Sequence, residues 1–483
     1  MVRGGRSSES TSNAQLRGEA FSSGDTDHRG DLTQDRTGRR ALPEPAQATE
    51  PWRTVMPQRP KLVLAGQLST FPWVFEAAER AGIDLILIPR GDDTTEAAGR
   101  AKAVVELLPL DIDANPDGAL SALADRYRRE PFGGIMSGNE RVIPFVARAA
   151  RELGLTGLTE EAAAVVRDKR SMRQRLLEAG LGVPGFVVIK DPDSWTDALT
   201  LRFPVVVKPA NGHSSFGVIR ADDRDSLEQA VARTWKLVET HLGAADGSDS
   251  ENGSDSETSV LVEEYLDGPE ISAESLVYRG QARVCAISWK GELTGPYFEE
   301  TTLRAPAQLP AEILAAIEAE VIGAHHAFGV TEGTTHTELR LVGGVRPVLL
   351  EMTARLGGGG NMHHLVHVSS GIDLAAEALR IHLGREPLCW REEPAPAGHA
   401  AAYLVPIGSG GRVKRIRGLD AVRTDPQVDY VVQTAGPGAQ LLPYPDWSGN
   451  PAVVLSHHKS DAEAVAYLDH LARTLHVEYE EQD

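Results

Sequence analysis

Short apolar runs alternate with helix-like segments at the start of the patterned chain. Residues 61–65, 84–89 and 133–136 are apolar runs of strand length, and 73–81 and 143–153 carry apolar residues at helical spacing. Strand–helix–strand alternation is typical of a parallel α/β unit. No G-x-G-x-x-G sequence follows the first strand, so this rhythm alone does not predict dinucleotide binding.

The middle of the chain mixes helices with β-rich segments separated by glycine turns. The strands and β-rich stretches predicted here are 183–189, 204–209, 260–265, 271–287 and 339–352. The helices predicted here are 168–180, 227–240 (behind the capping candidates Asp225 and Ser226) and 371–383. The last ninety or so residues are predicted to form β-strands with glycine turns, followed by a helix at 461–475.

Two segments have neither the helical nor the strand periodicity of apolar residues. Residues 1–58 are rich in Ser, Gly, Thr, Arg and Asp, and 243–259 is a Ser/Asp/Gly/Glu tract. Neither buries enough apolar surface to offset its ordering entropy, so we expect a disordered extension and a solvated loop insertion. A regulatory arm and an acidic cation site are the alternatives. The domains expected are 59–158 (α/β), 159–392 (containing the insertion) and 393–483 (β-rich).

Charge and cysteine content narrow the class of protein. The chain has 49 Lys and Arg against 69 Asp and Glu, a formal net charge of −20, which argues against nucleic-acid or anionic-membrane partners. No apolar run approaches 18 residues, and no apolar secretory leader opens the sequence. Two cysteines, Cys285 and Cys389, cannot form a disulfide framework or a Cys-rich zinc site. We therefore expect a cytoplasmic protein.

A lysine at the end of an apolar strand precedes a loop of small residues, V-V-V-K-P-A-N-G-H-S-S-F-G over 205–217. Gly212 and Gly217 allow unusual backbone angles, so loop N–H groups can turn toward an anion, and Lys208 can meet phosphate oxygens. The segment is not a Walker loop, because the lysine comes before the loop. Taken alone, a turn with an exposed lysine is the simpler interpretation.

A second group of polar residues lies on two strands joined by a turn at Gly343–Gly344. Glu351 and Thr353 share one face of their strand, and a hairpin would bring Glu338 beside Glu351. Two facing carboxylates repel unless a cation lies between them, so this pattern suits a Mg2+-phosphate site. An exposed charged hairpin face is the alternative.

A third element covers 260–274, where an apolar strand meets a turn and then another strand. Backbone groups at the strand end can hydrogen-bond an adenine edge, and a carboxylate beyond the turn can accept from ribose hydroxyls. In isolation, a solvated acidic turn is the more common structure.

Together these elements resemble the ATP-grasp superfamily over 159–371, and 59–158 fits the domain that precedes it there. His336-Thr-Glu338, the run E-M-T-A-R-L-G-G-G from 351, and the glycine turns at 408–411 and 434–438 are similar to the L-amino-acid ligases, which join two amino acids into dipeptides. The resemblance implies an ATP-grasp fold with an N-terminal Rossmann-like α/β domain and a C-terminal β-rich α+β domain.

The resemblance also implies residue roles. The nucleotide-binding residues it implies are Lys169, Lys208, Asn211, Gly212, His213, Ser214, Ser215, Gly217, Glu263, Tyr265, Leu266 and Glu270. The metal ligands it implies are Glu338, Glu351 and Thr353, for Mg2+ or Mn2+. Arg355 would hold the substrate carboxylate or acyl phosphate and, with Lys208, act in catalysis. The family has Asn where this chain has Thr353, and a hydroxyl has a shorter reach to a second metal ion.

The activity implied is ATP-dependent amide formation through an acyl phosphate, releasing ADP and phosphate. Its partners would be small carboxylate and amine substrates, amino acids among them, and related ligases are often homodimers. The histidines His363, His364 and His367 are candidates for a base or for substrate contacts, or ordinary polar helix residues. Alternative functions are a natural-product ligase with a non-amino-acid or peptide substrate, phosphoryl transfer through histidine, and a non-catalytic ATP-binding module.

Overall fold

A computed structural model describes residues 59–66, 72–89, 101–212, 216–242, 259–293, 295–392, 394–444 and 446–480. The expected N-terminal extension, residues 243–258 of the expected insertion, and the predicted phosphate contacts His213, Ser214 and Ser215 lie outside these residues. Within the described part of the chain, no helix has the length and apolar character needed to cross a membrane.

The N-terminal unit is a parallel sheet with helices, as the alternating pattern predicts. Its strands are β1 (Lys61–Ala65), β2 (Asp84–Ile88), β3 (Val104–Leu107) and β4 (Gly134–Ser137), in the order β3-β2-β1-β4. Its helices are α1 (Trp73–Ala81), α2 (Pro116–Arg129) and α3 (Ile143–Leu153). All three strand pairings are parallel, and strands β1, β2 and β4 are largely buried. The buried strands therefore read as continuous apolar runs in the sequence.

A small antiparallel sheet follows, in the order β5-β8-β6-β7. Its strands are β5 (Phe186–Ile189), β6 (Val205–Pro209), β7 (Ile219–Ala221) and β8 (Val260–Glu264), and the helices around it are α4 (Glu160–Val165), α5 (Lys169–Glu178) and α6 (Arg224–Leu237). The capping prediction for α6 was wrong by one turn. The helix begins earlier because Asp223 accepts from the Ser226 N–H at 2.9 Å while the Ser226 hydroxyl receives the Asp223 N–H at 3.1 Å.

An eight-stranded antiparallel sheet runs through the rest of the molecule, in the order β13-β12-β9-β10-β11-β14-β18-β16. Its strands are β9 (Glu270–Tyr278), β10 (Gln281–Lys290), β11 (Thr302–Ala305), β12 (Gly333–Val342), β13 (Arg346–Thr353), β14 (His399–Leu404), β16 (Val428–Gln433) and β18 (Ala452–His458). Strands β11 and β14 are neighbours in this sheet, although the domain boundary expected at 392/393 falls between them in sequence. The domain boundaries stay a prediction.

The remaining elements complete the C-terminal half. Three short strands form a sheet in the order β17-β15-β19: β15 (Gly411–Arg417), β17 (Gln440–Leu441) and β19 (His476–Tyr479). The helices are α7 (Ala311–Phe328), α8 (Asn361–Ser370), α9 (Leu374–His382), α10 (Leu419–Val422) and α11 (Asp461–Thr474). The helix predicted at 371–383 is present as α9, which begins three residues later because Asp373 accepts from the Ala376 N–H at 2.9 Å. Helix α8, which ends before Gly371, was not predicted.

The N-terminal sheet packs directly against the end of α9. A Cβ atom added to Gly134, on β4, would lie 2.1 Å from the carbonyl oxygen of His382. One continuous hydrophobic core joins α1 and β1 to α8, α9 and strand β14. The close approach at Gly134 thus fixes how the N-terminal sheet meets the central sheet.

We predict that Gly134→Ala destabilises the protein by about 1–3 kcal/mol, because the added methyl group meets rigid backbone. The measurement is urea unfolding followed by circular dichroism. Gly436→Ala is the matched control, since a Cβ atom there has no neighbour within 4 Å. Equal stability of the two variants would contradict the packing described here.

Candidate active site

A cavity of about 520 Å³ lies among the small sheet, the central sheet and the C-terminal strands. That volume is in the range of small-molecule binding sites. The predicted site residues that line it are Lys169, Lys208, Gly212, Glu263, Tyr265, Leu266, Glu270, Glu338, Glu351, Thr353 and Arg355. Asn211 and Gly217 are described but are not among the lining residues. The structure therefore brings most of the sequence-predicted residues together around one cavity.

Lys208 is held by a buried carboxylate on the neighbouring strand. Its Nζ lies 2.5 Å from Glu263 Oε2, and Arg173 Nε lies 2.5 Å from Glu263 Oε1. Burial alone raises the pKa of Glu263, but the two cations outweigh burial and lower it to about 2. Burial also lowers the pKa of Lys208 below its usual range, against the raising effect of Glu263. Glu263 therefore anchors the lysine rather than facing the cavity as a free acid.

The second predicted phosphate lysine begins helix α5. Asp168 caps that helix by accepting from the Arg170 N–H at 2.8 Å, which places Lys169 at its first turn. Lys169 Nζ lies 2.9 Å from Glu351 Oε1 and donates to the Gly212 carbonyl oxygen at 2.8 Å. It thereby ties the helix to the small-residue loop and to a predicted metal ligand.

The hairpin of β12 and β13 forms as the sequence predicts, with a one-residue register shift between Glu338 and Leu339. Glu338 pairs directly with Glu351, and the turn residues Gly343 and Gly344 both have positive φ, +63° and +79°. Each carboxylate has a lysine partner: Lys290 for Glu338 at 2.7 Å and Lys169 for Glu351 at 2.9 Å. Directly opposite positions on antiparallel strands put both side chains on one face.

These residues fit a magnesium ion that is shared with phosphate. Thr353 is 4% exposed, and its buried Oγ1 has no hydrogen-bond partner. This hydroxyl oxygen, on the same strand as Glu351, is therefore available as a metal ligand. In the described part of the chain, no group of three or more His, Cys, Asp or Glu side chains could hold a metal ion by itself. Mg2+ commonly takes one or two carboxylates and completes its shell with phosphate oxygens and water.

Lys290, the last residue of β10, lines the cavity but was not predicted from the sequence. Its Nζ contacts three carboxylates: Glu270 at 2.7 Å, Glu300 at 2.8 Å and Glu338 at 2.7 Å. Burial lowers the pKa of Lys290, but the three carboxylates raise it well above its usual value. The sequence did contain a signal for Lys290, because a lysine at the end of a largely apolar strand is the pattern that identified Lys208 as a candidate site residue.

Glu140, from the N-terminal unit, also lines the cavity and was not predicted from the sequence. Glu140 Oε2 accepts from Arg355 Nε at 3.0 Å and from Arg355 Nη2 at 2.6 Å. It follows strand β4, at the carboxyl end of the parallel sheet, where open α/β sheets place their ligand contacts. The predicted substrate arginine is thus oriented by a residue more than 200 positions earlier.

A cation and two aromatic rings surround the predicted ribose acid. Arg340 Nη2 lies 3.1 Å from Glu270, and the Arg340 guanidinium lies 5.5 Å from the ring centroid of Tyr265. The rings of Tyr265 and Phe298 are nearly parallel, with centroids 6.1 Å apart. Flat apolar faces of this kind suit the planar base of a nucleotide.

His336 is a cation next to the predicted metal ligand Glu338. Its Nδ1 contacts Glu274, and its Nε2 lies 3.4 Å from Glu338 Oε1. Burial lowers the pKa of His336, but Glu274 and Glu338 raise it to about 10. Burial raises the pKa of Glu338, yet Lys290 and His336 hold it well below its usual range. Glu338 therefore stays ionised at neutral pH.

The three histidines after the glycine run lie on α8 and do not line the cavity, although Asn361 and Met362 at the start of the same helix do. His363 and His364 are buried and lie 5.0 Å and 6.4 Å from the ring of Trp73. Burial lowers the pKa of His363 to about 4 and that of His364 to about 3. His363 and His364 are thus buried core residues that are neutral at pH 7. The role of the three histidines in the site stays open.

Comparisons with known proteins agree with this geometry. Residues 75–157 match a family model described as an ATP-grasp N-terminal domain, 201–363 an ATP-grasp domain, and 403–480 an L-amino acid ligase C-terminal domain 2. The fold is thus that of an ATP-grasp enzyme. This chain resembles the crystal structure of L-amino acid ligase from Bacillus licheniformis, with 33% sequence identity and a TM-score of 0.80. The match covers 88% of this chain and 100% of the ligase chain.

Curated relatives include other carbon–nitrogen ligases. A D-alanine–D-alanine ligase of Aromatoleum aromaticum is 29% identical over 47% of this chain and 68% of its own. An alanine–anticapsin ligase of Bacillus subtilis is 28% identical over 51% of this chain and 53% of its own. The chain belongs to the L-amino acid ligase family. It is an ATP-grasp ligase that forms carbon–nitrogen bonds.

We predict that Glu263→Gln destabilises the protein by about 3–5 kcal/mol at pH 7, because two buried cations lose their partner. Because the pKa of Glu263 falls from 4.5 to about 2 on folding, its carboxylate stabilises the fold at neutral pH. That contribution is lost as the pH falls from 4.5 toward 2. Urea unfolding of wild type and variant across this pH range measures it.

Glu264→Gln is the matched control for that experiment. Glu264 is the next residue, and its partner Arg202 has an 87% exposed side chain, so the pair is screened by water. The control should therefore cost less than about 1 kcal/mol. An equal loss of unfolding free energy in the two variants would show that burial does not make the Glu263 ion pairs more stabilising than an exposed pair.

Proposed function

We propose that this protein joins two amino acids, or an amino acid and another small acid, into an amide at the cost of ATP. The observation that carries the proposal is the meeting of Lys169, Lys208 and the Glu338–Glu351 pair with Arg355 in one cavity. Cations for phosphates, carboxylates for a metal ion and an arginine for a second anion are the parts that phosphoryl transfer to a carboxylate requires.

The nucleotide would occupy the part of the cavity that carries the lysines. Lys169 and Lys208 would meet the phosphates, exchanging part of their contact with Glu351 and Glu263 for phosphate oxygens. The strand end at Tyr265 and Leu266 would receive the adenine, and Glu270 would accept from the ribose hydroxyls. Lys290 is the further cation that supports this assignment, since it already balances Glu270 and Glu338.

Glu338, Glu351 and Thr353 are the residues that would hold Mg2+, with Mn2+ as its substitute. The bound ion would neutralise charge on the phosphates of ATP. The Thr353 hydroxyl supports this role because its oxygen is buried beside the hairpin without a hydrogen-bond partner.

The reaction then follows in two balanced steps. A carboxylate oxygen of the first substrate attacks the γ-phosphorus of ATP, the bond to the β-phosphate oxygen breaks, and ADP leaves. The amine nitrogen of the second substrate attacks the acyl carbon, phosphate leaves with one former carboxylate oxygen, and the nitrogen loses a proton. Arg355 would stabilise the negative charge on the acyl phosphate, and Glu140 would fix the direction of its guanidinium.

Glu300 is the carboxylate that we assign to the amine substrate. It lines the cavity, and its Oε2 lies 2.8 Å from Lys290 Nζ. Burial raises the pKa of Glu300 above its usual value, despite the lowering effect of Lys290. A carboxylate with a raised pKa is better matched to accept a proton from an ammonium group. The homodimer and the cytoplasmic location expected from the sequence stay predictions.

The test is phosphate release with ATP and Mg2+, for single amino acids and all pairs, with mass spectrometry of the products. We expect ADP and phosphate only with a pair, together with a product of the summed mass minus water. Lys208→Ala should abolish turnover, while Arg173 keeps Glu263 paired and the circular dichroism spectrum stays unchanged. Lys236→Ala, an exposed lysine on α6, is the matched control and should keep full activity.

ADP formation at the wild-type rate in Lys208→Ala would contradict the assignment of this lysine to the phosphates. ATP binding with no condensed product from any pair would contradict the proposed reaction.

A further inference from the structure

An ion pair joins helix α6, which packs on the small sheet, to the C-terminal strands. It is formed by Arg233 on α6 and Asp446 in the loop between β17 and β18. Arg233 Nη2 lies 2.5 Å from both carboxylate oxygens of Asp446. Neither residue lines the cavity, and the two side chains are 39% and 45% exposed. We call this ion pair the rim bridge.

Both ends of the rim bridge adjoin the candidate site. Thr234 follows Arg233, and its buried hydroxyl group donates to the carbonyl oxygen of Gly217 at 3.0 Å. This end therefore lies where the predicted phosphate loop ends. At the other end, Trp447 follows Asp446 and lines the cavity. The rim bridge thus connects the predicted phosphate end of the cavity with its C-terminal side.

A second set of contacts continues along the same border of the cavity. The Arg220 N–H on β7 donates to the Pro296 carbonyl oxygen at 2.8 Å, which ties the small sheet to the segment before β11. In that segment, the ring of Tyr297 stacks on Tyr444 with centroids 6.3 Å apart, and Tyr444 stacks on Trp447 at 5.6 Å. A path of contacts therefore leads from β7 to the loop that carries the rim bridge.

The rim bridge differs from the buried ion pairs of the site in how easily it opens. Water screens a half-exposed pair, so its loss costs little stability and the protein stays folded. Without it, this border would be held by stacked rings and a backbone hydrogen bond. The gap between α6 and the loop would then open more often, and water would reach the cavity from the predicted phosphate end.

Water competes with the amine in the proposed reaction. When a water oxygen attacks the acyl carbon, the bond from that carbon to the phosphate oxygen breaks. The products are the free acid, phosphate and a proton, so ATP is consumed and no amide forms. An active site that excludes water prevents this loss of a reactive intermediate.

We propose that Arg233 and Asp446 are positioning residues that keep water from the acyl phosphate. They thereby set the share of ATP turnover that ends in amide rather than in hydrolysis. This inference rests on the proposed function, since it concerns the intermediate of that reaction. It assigns the two residues no contact with ATP or with either substrate.

The test measures phosphate and amide in parallel for an amino-acid pair that wild type joins. We expect Arg233→Gln and Asp446→Asn each to raise the fraction of phosphate released without amide by about two- to fivefold, the range that an exposed ion pair supports. The KM for ATP should stay close to wild type, because neither side chain lines the cavity.

A charge exchange separates the contact from the side chains that make it. The double variant Arg233→Asp with Asp446→Arg restores an ion pair, so it should return the uncoupled fraction to the wild-type value. Added salt should raise the uncoupled fraction of wild type and leave that of Arg233→Gln unchanged, because salt screens an exposed pair.

Glu478→Gln is the matched control. Glu478 pairs with Arg415 at 2.7 Å, their side chains are 27% and 64% exposed, and neither lines the cavity. The loss of this pair should leave the uncoupled fraction at the wild-type value. Thermal unfolding of all variants checks that each keeps its fold.

Two results would overturn the inference. One is an unchanged uncoupled fraction in both single variants, including the case in which phosphate and amide fall together. The other is a rise that the charge exchange does not reverse, because the effect would then come from the lost side chains rather than from their contact.

The same measurements separate the rim bridge from the proposed function. If wild type gives ADP, phosphate and condensed product but the variants couple as well as wild type, the rim bridge assignment fails and the ligase assignment stands. If wild type gives no condensed product from any pair, the proposed function fails and the rim bridge assignment fails with it.

Discussion

Buried ion pairs hold the cavity together, and each joins a separate element of the chain. Glu263 on β8 binds both Lys208 on β6 and Arg173 on α5, while Lys169 at the start of α5 binds Glu351 on β13. Single buried charges would be far too costly, so each lysine depends on its carboxylate for its place. The position of the predicted nucleotide site is thus a consequence of charge balance between elements that the sequence keeps far apart.

The same balance explains how the site can receive a highly charged ligand. Lys290 contacts three carboxylates, and His336 carries a further positive charge beside Glu338. Phosphates and a divalent cation bring both signs of charge, so they can exchange partners with these groups rather than add an uncompensated charge. We infer that the protein holds its cations and carboxylates in readiness for ATP and a metal ion by pairing them with each other.

The sequence predicted local geometry well and distant partners poorly. The hairpin was predictable because two consecutive glycines join adjacent strands, but the one-residue register shift that puts Glu338 opposite Glu351 was not. Glu140 was not predicted because its place in the site depends on its hydrogen bond with Arg355. Only the packing of the N-terminal sheet brings these two residues together. Helix α8 was not predicted, because its sequence N-M-H-H-L-V-H-V-S-S mixes histidines with apolar residues and has no clear helical period.

The central claim is that this cavity transfers the γ-phosphoryl group of ATP to a carboxylate. Its most direct test uses an acid substrate with 18O in its carboxylate and mass spectrometry of the released phosphate. The account predicts that each phosphate carries one labelled oxygen from the substrate, because the acyl phosphate loses that oxygen when the amine attacks. Unlabelled phosphate, or label appearing in AMP, would contradict it.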